Sequence, residues 1–372
     1  MENPFVIVGK IKPEYFCDRE EESARLVRQV TNQGNVVLMS PRRLGKTGLI
    51  DFCFEKPAVK NHYITISIDI LRTSSLNEFT YLLGRAVFES IGRHSQKVMK
   101  QVVATLKSLS GSFGYDPVTN MPTFDIKLGD ITNPAYTLEE IFTCIEQAQK
   151  RCIIAIDEFQ QITSYPEKNI EALLRTHVQH SANANFIFSG SERHLMNEMF
   201  LDAARPFYNS ADIMVLAPIN EDKYLPFVKK HFENSKRLVD VQAVHNIYQA
   251  VEGNTYYLQK IFHDLYAELE AGATCGIAQT GAALQRLIEE NHQKYSEVLS
   301  RLTLPQKELL YAVAAEKRAT QITSGAFIRK HHLKSASSVQ AATKKLVEYH
   351  FLSTENGAYY IDDQLLRLWL LR

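Results

Sequence analysis

The first chemistry legible in the chain lies in eight residues, Ser40-Pro41-Arg42-Arg43-Leu44-Gly45-Lys46-Thr47, with Gly48 next to them. A glycine in a tight loop lets successive backbone N–H groups turn inward toward an anion. A lysine directly after it reaches the β and γ phosphates of a nucleotide, and the hydroxyl that follows is a hard oxygen ligand for Mg²⁺. Gly45, Lys46 and Thr47 supply these three parts. Ser40 stands where such a loop usually opens with glycine. An apolar run, Asn35-Val-Val-Leu-Met39, precedes the loop, and residues 46–55 read as a helix whose N-terminus adds its dipole to anion binding.

A second constellation lies about 110 residues on. Four apolar residues after Cys152 lead to Asp157 and then Glu158. At the C-terminal end of a strand beside the phosphate loop, Asp157 is expected to share the Mg²⁺ shell with Thr47. Glu158 is expected to act as general base or to polarise the attacking water. A third strand, Phe186-Ile-Phe-Ser189-Gly190-Ser191, ends in small polar residues. Ser189 or Ser191 would place a hydroxyl between the acids and the γ-phosphate, and we assign Ser189 to that role. Arg42, Arg43, Arg193 and Arg205 fall in loops at the same edge. An arginine facing the γ-phosphate aids hydrolysis greatly, and Arg193 is the one we assign.

These residues need a frame. Short apolar runs at 35–39, 63–69, 152–156, 186–189 and 213–216 alternate with helical stretches such as 138–150 and 169–181. Runs without polar alternation suit strands buried on both faces of a parallel sheet, and the alternation with helices indicates a doubly wound α/β domain. Residues 76–106 read as a long, mostly helical stretch. Residues 108–133, rich in Gly, Pro, Asn and Asp, read as a loop or small hairpin insertion. From 221 to about 299 apolar residues recur at helical spacing, giving an all-helical bundle with a break at 271–276. Beyond 301 the signals are Leu304-Pro305 opening a helix, a helix over 325–331, and Ser335 capping a third helix over 337–350. Two β-prone runs flank Glu355-Asn356-Gly357, the strongest short hairpin signal. The expected architecture is therefore an α/β P-loop NTPase core over 1–220 (parallel sheet, helices on both faces), an all-α lid over 221–299 and a winged helix-turn-helix over 300–372.

Composition bounds the rest. The 372 residues carry 42 Lys+Arg and 42 Asp+Glu, so a uniformly polyanion-coating protein is excluded while a local basic patch is not. Five scattered cysteines without metal-ligand spacing suit free thiols in a reducing compartment. The N-terminus lacks signal-peptide character, and no run of 18 apolar residues offers a membrane span. The expected location is cytoplasmic, with no membrane partner.

Together these residues resemble the archaeal-type ATPase family of the STAND branch of AAA-like P-loop NTPases, over nearly the whole chain. The resemblance opens at Tyr15-Phe16-Cys17-Asp18-Arg19-Glu20, similar to a family segment near the adenine, which implies that Asp18 and Arg19 help bind the nucleotide. It continues through 40–47, 152–161 and 186–191. Arg205-Pro206-Phe207-Tyr208 is followed here by Asn209-Ser210, where relatives often continue Gly-Arg. Gly253-Asn254-Thr255 is similar to a Gly-x-Pro helix start in the lid, with threonine at the proline position. The resemblance implies ATP and Mg²⁺ as cofactors, adenine over guanine, and a nucleotide-driven switch.

Between 301 and 372 eleven basic residues face six acidic ones. The third helix of this segment carries Ser335, Ser337, Ser338, Gln340, Thr343, Lys344 and Lys345, which suit contacts to duplex DNA through residues 335–350. Three readings stay open: an ATPase switch that acts on or is gated by DNA, a nucleotide-binding regulator with little hydrolysis and the winged helix as its output, and a protein-interaction switch whose winged helix never meets DNA; a homo-oligomer or another protein partner is compatible with each.

Overall fold

The computed structural model describes residues 2–92, 102, 104–108, 113–115, 122–124 and 128–372. By contact the chain forms two compact units: Arg19–Ala217, and Met1–Asp18 together with Pro218–Arg372.

The first unit is built on a sheet. Strands β1 (Val36–Met39) and β2 (Ile64–Asp69) precede a short antiparallel hairpin of β3 (Phe113–Tyr115) and β4 (Pro122–Phe124); β5 (Cys152–Asp157), β6 (Ala184–Gly190) and β7 (Asp212–Val215) follow. The five longer strands form one parallel sheet in the order β2-β5-β6-β1-β7. Burial explains their sequences. The central strands β1, β5 and β6 are buried at every residue and read as continuous apolar runs, as expected for strands covered on both faces. At the sheet edge, β2 alternates, with Ile64, Ile66 and Ile68 inside and Ser67 and Asp69 outside. Phe142, Phe159, Phe186, Phe188, Phe200 and Phe207 pack in one cluster of this core.

Helix boundaries follow local chemistry. The helix expected over 138–150 runs over Pro134–Glu146, because Asn133 caps it by accepting from the Tyr136 N–H and Pro134 fits the first turn. Of the stretch 76–106, Leu76–Gly92 is one helix. The hairpin expected within 108–133 is present as β3 and β4; the remainder of that stretch and of 76–106 lies largely outside the described residues.

The second unit differs from expectation in two respects. The first eighteen residues, assigned by sequence to the core over 1–220, group with the C-terminal residues. The cause is Phe5, fully buried with its ring 5.8–5.9 Å from those of Phe227, Phe232, Phe262 and Tyr266, while its carbonyl lies 2.7 Å from Nδ1 of His263. Burying one such ring contributes about 1.5–3 kcal/mol. Secondly, the region 221–299 is not helical alone: Leu238–Val239 (β8) pairs in parallel with Thr274–Cys275 (β9). Residues 221–299 and 300–372 share one hydrophobic cluster.

The C-terminal part is a winged helix. Helices Leu304–Glu316, Gly325–Lys330 and Ala336–Glu348 are followed by β11 (Ser353–Glu355) and β12 (Ala358–Tyr360), after an earlier short strand β10 (Ala319–Thr320). The three strands pair in the order β10-β12-β11. Asn356 and Gly357 both have positive φ, the geometry of a two-residue hairpin turn. Ser335 caps the third helix by accepting from the Ser338 N–H.

Candidate functional site

The C-terminal ends of β1, β5 and β6 bring the chemistry-bearing residues of the first unit together. After β1 the chain turns through Ser40 to Gly45 and enters the helix Lys46–Glu55. Gly45 has φ +91° with open space where a Cβ would stand, so its requirement is conformational rather than steric. Ser40 is fully buried, and its N–H lies 3.4 Å from the carbonyl of Gly190, tying the loop to the end of β6. Pro41 and Leu44 are partly and fully buried, whereas Arg42 and Arg43 are exposed.

Lys46 is 6% exposed and its Nζ donates to the Ser40 carbonyl at 3.0 Å. Burial lowers its pKa below the ordinary lysine value; Glu158 and Asp157 oppose that shift, and Arg42 adds to it. The Thr47 hydroxyl donates to Oδ2 of Asp157 at 2.6 Å across 110 residues of sequence. This pair joins a hydroxyl to a carboxylate, the hard-oxygen donors that Mg²⁺ takes. Mg²⁺ usually completes its shell with water and substrate phosphates, so the absence of a three-residue metal cluster among the described residues is compatible with it. A buried lysine whose Nζ meets only oxygens of Ser40 and Pro41 among the described residues likewise fits an anionic phosphate. ATP and Mg²⁺ are thus suited to the residues present.

Asp157 ends β5, and Glu158 follows with φ +56°, a left-handed backbone uncommon for a residue with a side chain. Oε2 of Glu158 accepts from Nε2 of Gln160 at 2.6 Å, from the Ser191 hydroxyl at 2.6 Å and from the Ser191 N–H at 3.3 Å. Nε of Arg42 lies 3.4 Å from Oγ of Ser191. Ser189, fully buried, has no hydrogen-bond partner for its hydroxyl among the described residues.

Sequence reasoning did not single out Asp69. The register of β2 against β5 sets it opposite Asp157, at the same edge of the sheet. Asp69 is exposed as a residue, but the packing around its carboxyl partly desolvates it, and this raises its pKa, with a further push from the charges of Asp157 and Glu158 and against the N–H of Leu71 that donates to it at 2.9 Å. The signal available in sequence was an acidic residue closing a strand in the same way as Asp157. Gln160 was missed as well, because an amide three residues after a strand carries no motif.

Other sequence candidates lie apart from this cluster or are engaged elsewhere. Arg193 opens the helix Arg193–Leu201 two residues beyond Ser191. Arg205 pairs with Glu171 at 2.5 Å and Glu198 at 3.3 Å, so its charge is already opposed. Arg19 is buried and donates to Glu22 at 2.7 Å and to the carbonyl of Ala217 at 2.6 Å. Asp18 belongs to the other unit, so the pair Asp18–Arg19 straddles the break. Gly48 lies in the first turn of the helix after the loop.

A five-stranded parallel sheet with a phosphate loop after β1 and an acidic strand end beside its threonine defines a P-loop nucleoside triphosphatase fold, here joined to a winged helix. The model of an ATPase domain predominantly from Archaea matches residues 16–261, and a probable winged helix domain matches residues 293–372. The chain belongs to this archaeal-type ATPase family. Among solved structures it is similar to a Walker-type ATPase of Pyrococcus abyssi, with a TM-score of 0.69 at 18% identity over 99% of this chain and 100% of that one. The ORC2 protein of Aeropyrum pernix in its ADP form follows at 0.57 and 12% identity over 99% and 95%. The ORC1 protein of the same organism in complex with DNA gives 0.51 and 12% identity over 99% and 96%. At these identities the likeness is one of fold. No curated protein matches the chain. Among the described residues no helix is long and apolar enough to cross a membrane.

Proposed function

We propose that this chain binds ATP with Mg²⁺ and hydrolyses it, and that the nucleotide state sets the state of the winged helix. The observation that carries the reading is the 2.6 Å bond between Thr47 and Asp157, with Glu158 next in the chain. Residues 40–48 would hold the phosphates, Thr47 and Asp157 the metal, and the bound Mg²⁺ would neutralise charge on the phosphate oxygens. Lys46 brings a buried positive charge to the same place. Glu158 takes the proton of the attacking water on its carboxylate, a role that contributes about 10²–10⁴-fold to such reactions. A base beyond the metal-holding Asp157 favours turnover over a site that only binds.

The test is steady-state ATP hydrolysis beside equilibrium ATP binding. Glu158→Gln should keep ATP affinity and lose turnover, while Lys46→Ala should lose both. An unchanged rate for Glu158→Gln would remove the base from its role; tight binding with no turnover in the wild-type chain would favour the regulator.

A second reading concerns DNA. On the helix Ala336–Glu348, Ser337, Gln340 and Lys344 are exposed at helical spacing, whereas Thr343 is buried and bonded to the carbonyl of Val339, and Lys345 pairs with Glu348. The exposed three, with Lys334, favour a phosphate-contacting face. Lys344→Glu should weaken duplex binding about equally across sequences and lower its salt slope by about one. Salt-independent binding would refute this reading.

A further inference from the structure

We propose that Gln160 and Ser191 are positioning residues for Glu158: they pin its carboxylate through Oε2 and leave Oε1 to take the proton of the attacking water. The inference rests on the reading of Glu158 as the base.

Three donors converge on one oxygen. Gln160 Nε2, the Ser191 hydroxyl and the Ser191 N–H all lie within 3.3 Å of Oε2. None of the described hydrogen bonds falls on Oε1. A carboxylate with two free torsions beyond Cβ would otherwise sample many orientations, and reacting groups gain most when held near the attack geometry. The backbone of Glu158 is itself held in the left-handed region at φ +56°, so the residue is constrained at both ends.

Gln160 is an unusual residue to bury for packing alone. It is 2% exposed, yet its Oε1 has no partner among the described residues. A buried amide oxygen without a donor is destabilising, and such a group calls for a reason. The reason offered here is its other end, the Nε2 that donates to Glu158. The fold makes room for it: a Cβ at Gly190 would stand 2.6 Å from Gln160 Oε1, so the glycine at the end of β6 admits the amide.

Ser191 links the base to the phosphate loop. Its hydroxyl has one proton, which goes to Glu158, and its oxygen lies 3.4 Å from Nε of Arg42. Arg42 belongs to the loop expected to hold phosphate, so a shift of that loop reaches the carboxylate through a single side chain.

The experiment compares Gln160→Met (similar in volume, without the donor), Ser191→Ala and Ser191→Thr in the full chain. Turnover, KM and equilibrium ATP affinity are measured, with melting curves to confirm folding. Loss of either donor should lower kcat by on the order of 10- to 100-fold, the scale of a misplaced reacting group, with ATP affinity changed by less than about two-fold. Ser191→Thr should recover most of the rate. On a Glu158→Gln background, single-turnover rates should fall no further, because the group being positioned is already gone. Wild-type kcat in both Gln160→Met and Ser191→Ala would overturn the proposal. So would a loss of ATP affinity in step with kcat, or additive losses on the Glu158→Gln background. Ser191→Ala removes one oxygen and reports alone if Gln160→Met does not fold. Full turnover by Glu158→Gln is a distinct result: it overturns the base, not the hydrogen bonding.

Discussion

Gly190→Ala is the substitution whose cost is most directly set by the geometry of the site. A Cβ there would stand 2.6 Å from Oε1 of Gln160 and 2.6 Å from Cγ and Sδ of Met196, where ordinary contacts between heavy atoms are near 3.5–4 Å. Something must therefore move by about 1 Å. Gln160 and Met196 are 2% and 0% exposed, so neither swings into solvent without opening the core. Overpacking of this kind costs about 1–3 kcal/mol. For a unit of about 200 residues each kcal/mol lowers the melting temperature by roughly 2–4 °C, so the expected drop is about 2–12 °C. The functional effect is separate. If the amide moves about 1 Å along its bond to Glu158, the 2.6 Å contact lengthens to about 3.6 Å, beyond hydrogen-bond range. Turnover should then fall with it. The assays are calorimetric melting of the full chain and ATP hydrolysis well below the melting point. A melting temperature within about 1 °C of wild type would refute the packing argument. An undiminished kcat in a destabilised protein would show that the amide did not move, or does not matter.

Asp69 and Asp363 are two further carboxylates whose replacement has a definite expected outcome. Asp69 has a raised pKa in the folded state, so folding favours its protonated form; the stability this gives is present below the unfolded value, near 3.9, and is lost as pH rises through the folded value. Asp69→Asn should accordingly raise the melting temperature at pH 7 and leave it unchanged near pH 3, and an equal effect at both values would exclude the electrostatic cause. In the other unit, Asp363 accepts from the hydroxyls of Tyr257 and Tyr295 and caps the helix Gln364–Leu370 through the N–H groups of Leu365 and Leu366. Asp363→Ala removes a cap and an ionised acceptor together and should cost roughly 2–4 kcal/mol in urea unfolding, whereas a cost below about 0.5 kcal/mol would show those bonds to be replaced by water.

The sequence by itself determined the sheet, the loop and the wing. Their signals are local: an apolar run for a strand covered on both faces, Gly45 before Lys46 and Thr47, and Asn356-Gly357 between two short strands. The edge strand β2 was legible as a strand, but 63–69 was read with the runs covered on both faces, whereas in the fold its residues alternate because one face is more open. The two-residue strands β8, β9 and β10 were not, because two residues carry no period and are strands only through their partners. The grouping of the first eighteen residues with the C-terminal unit was equally hidden; a lone Phe5 does not state which aromatic cluster will receive it. Only the tertiary structure decided that Thr343 faces inward and bonds to Val339, which withdraws it from the helix face proposed above to contact DNA. At the site, sequence order placed Asp157 near Thr47. Strand register was needed to bring Asp69 opposite Asp157, and packing beneath Gly190 to aim Gln160 at Glu158. Hydrophobic pattern fixes which residues are buried; which buried polar atoms meet depends on distances between segments far apart in the chain, and those are set only when the sheet closes.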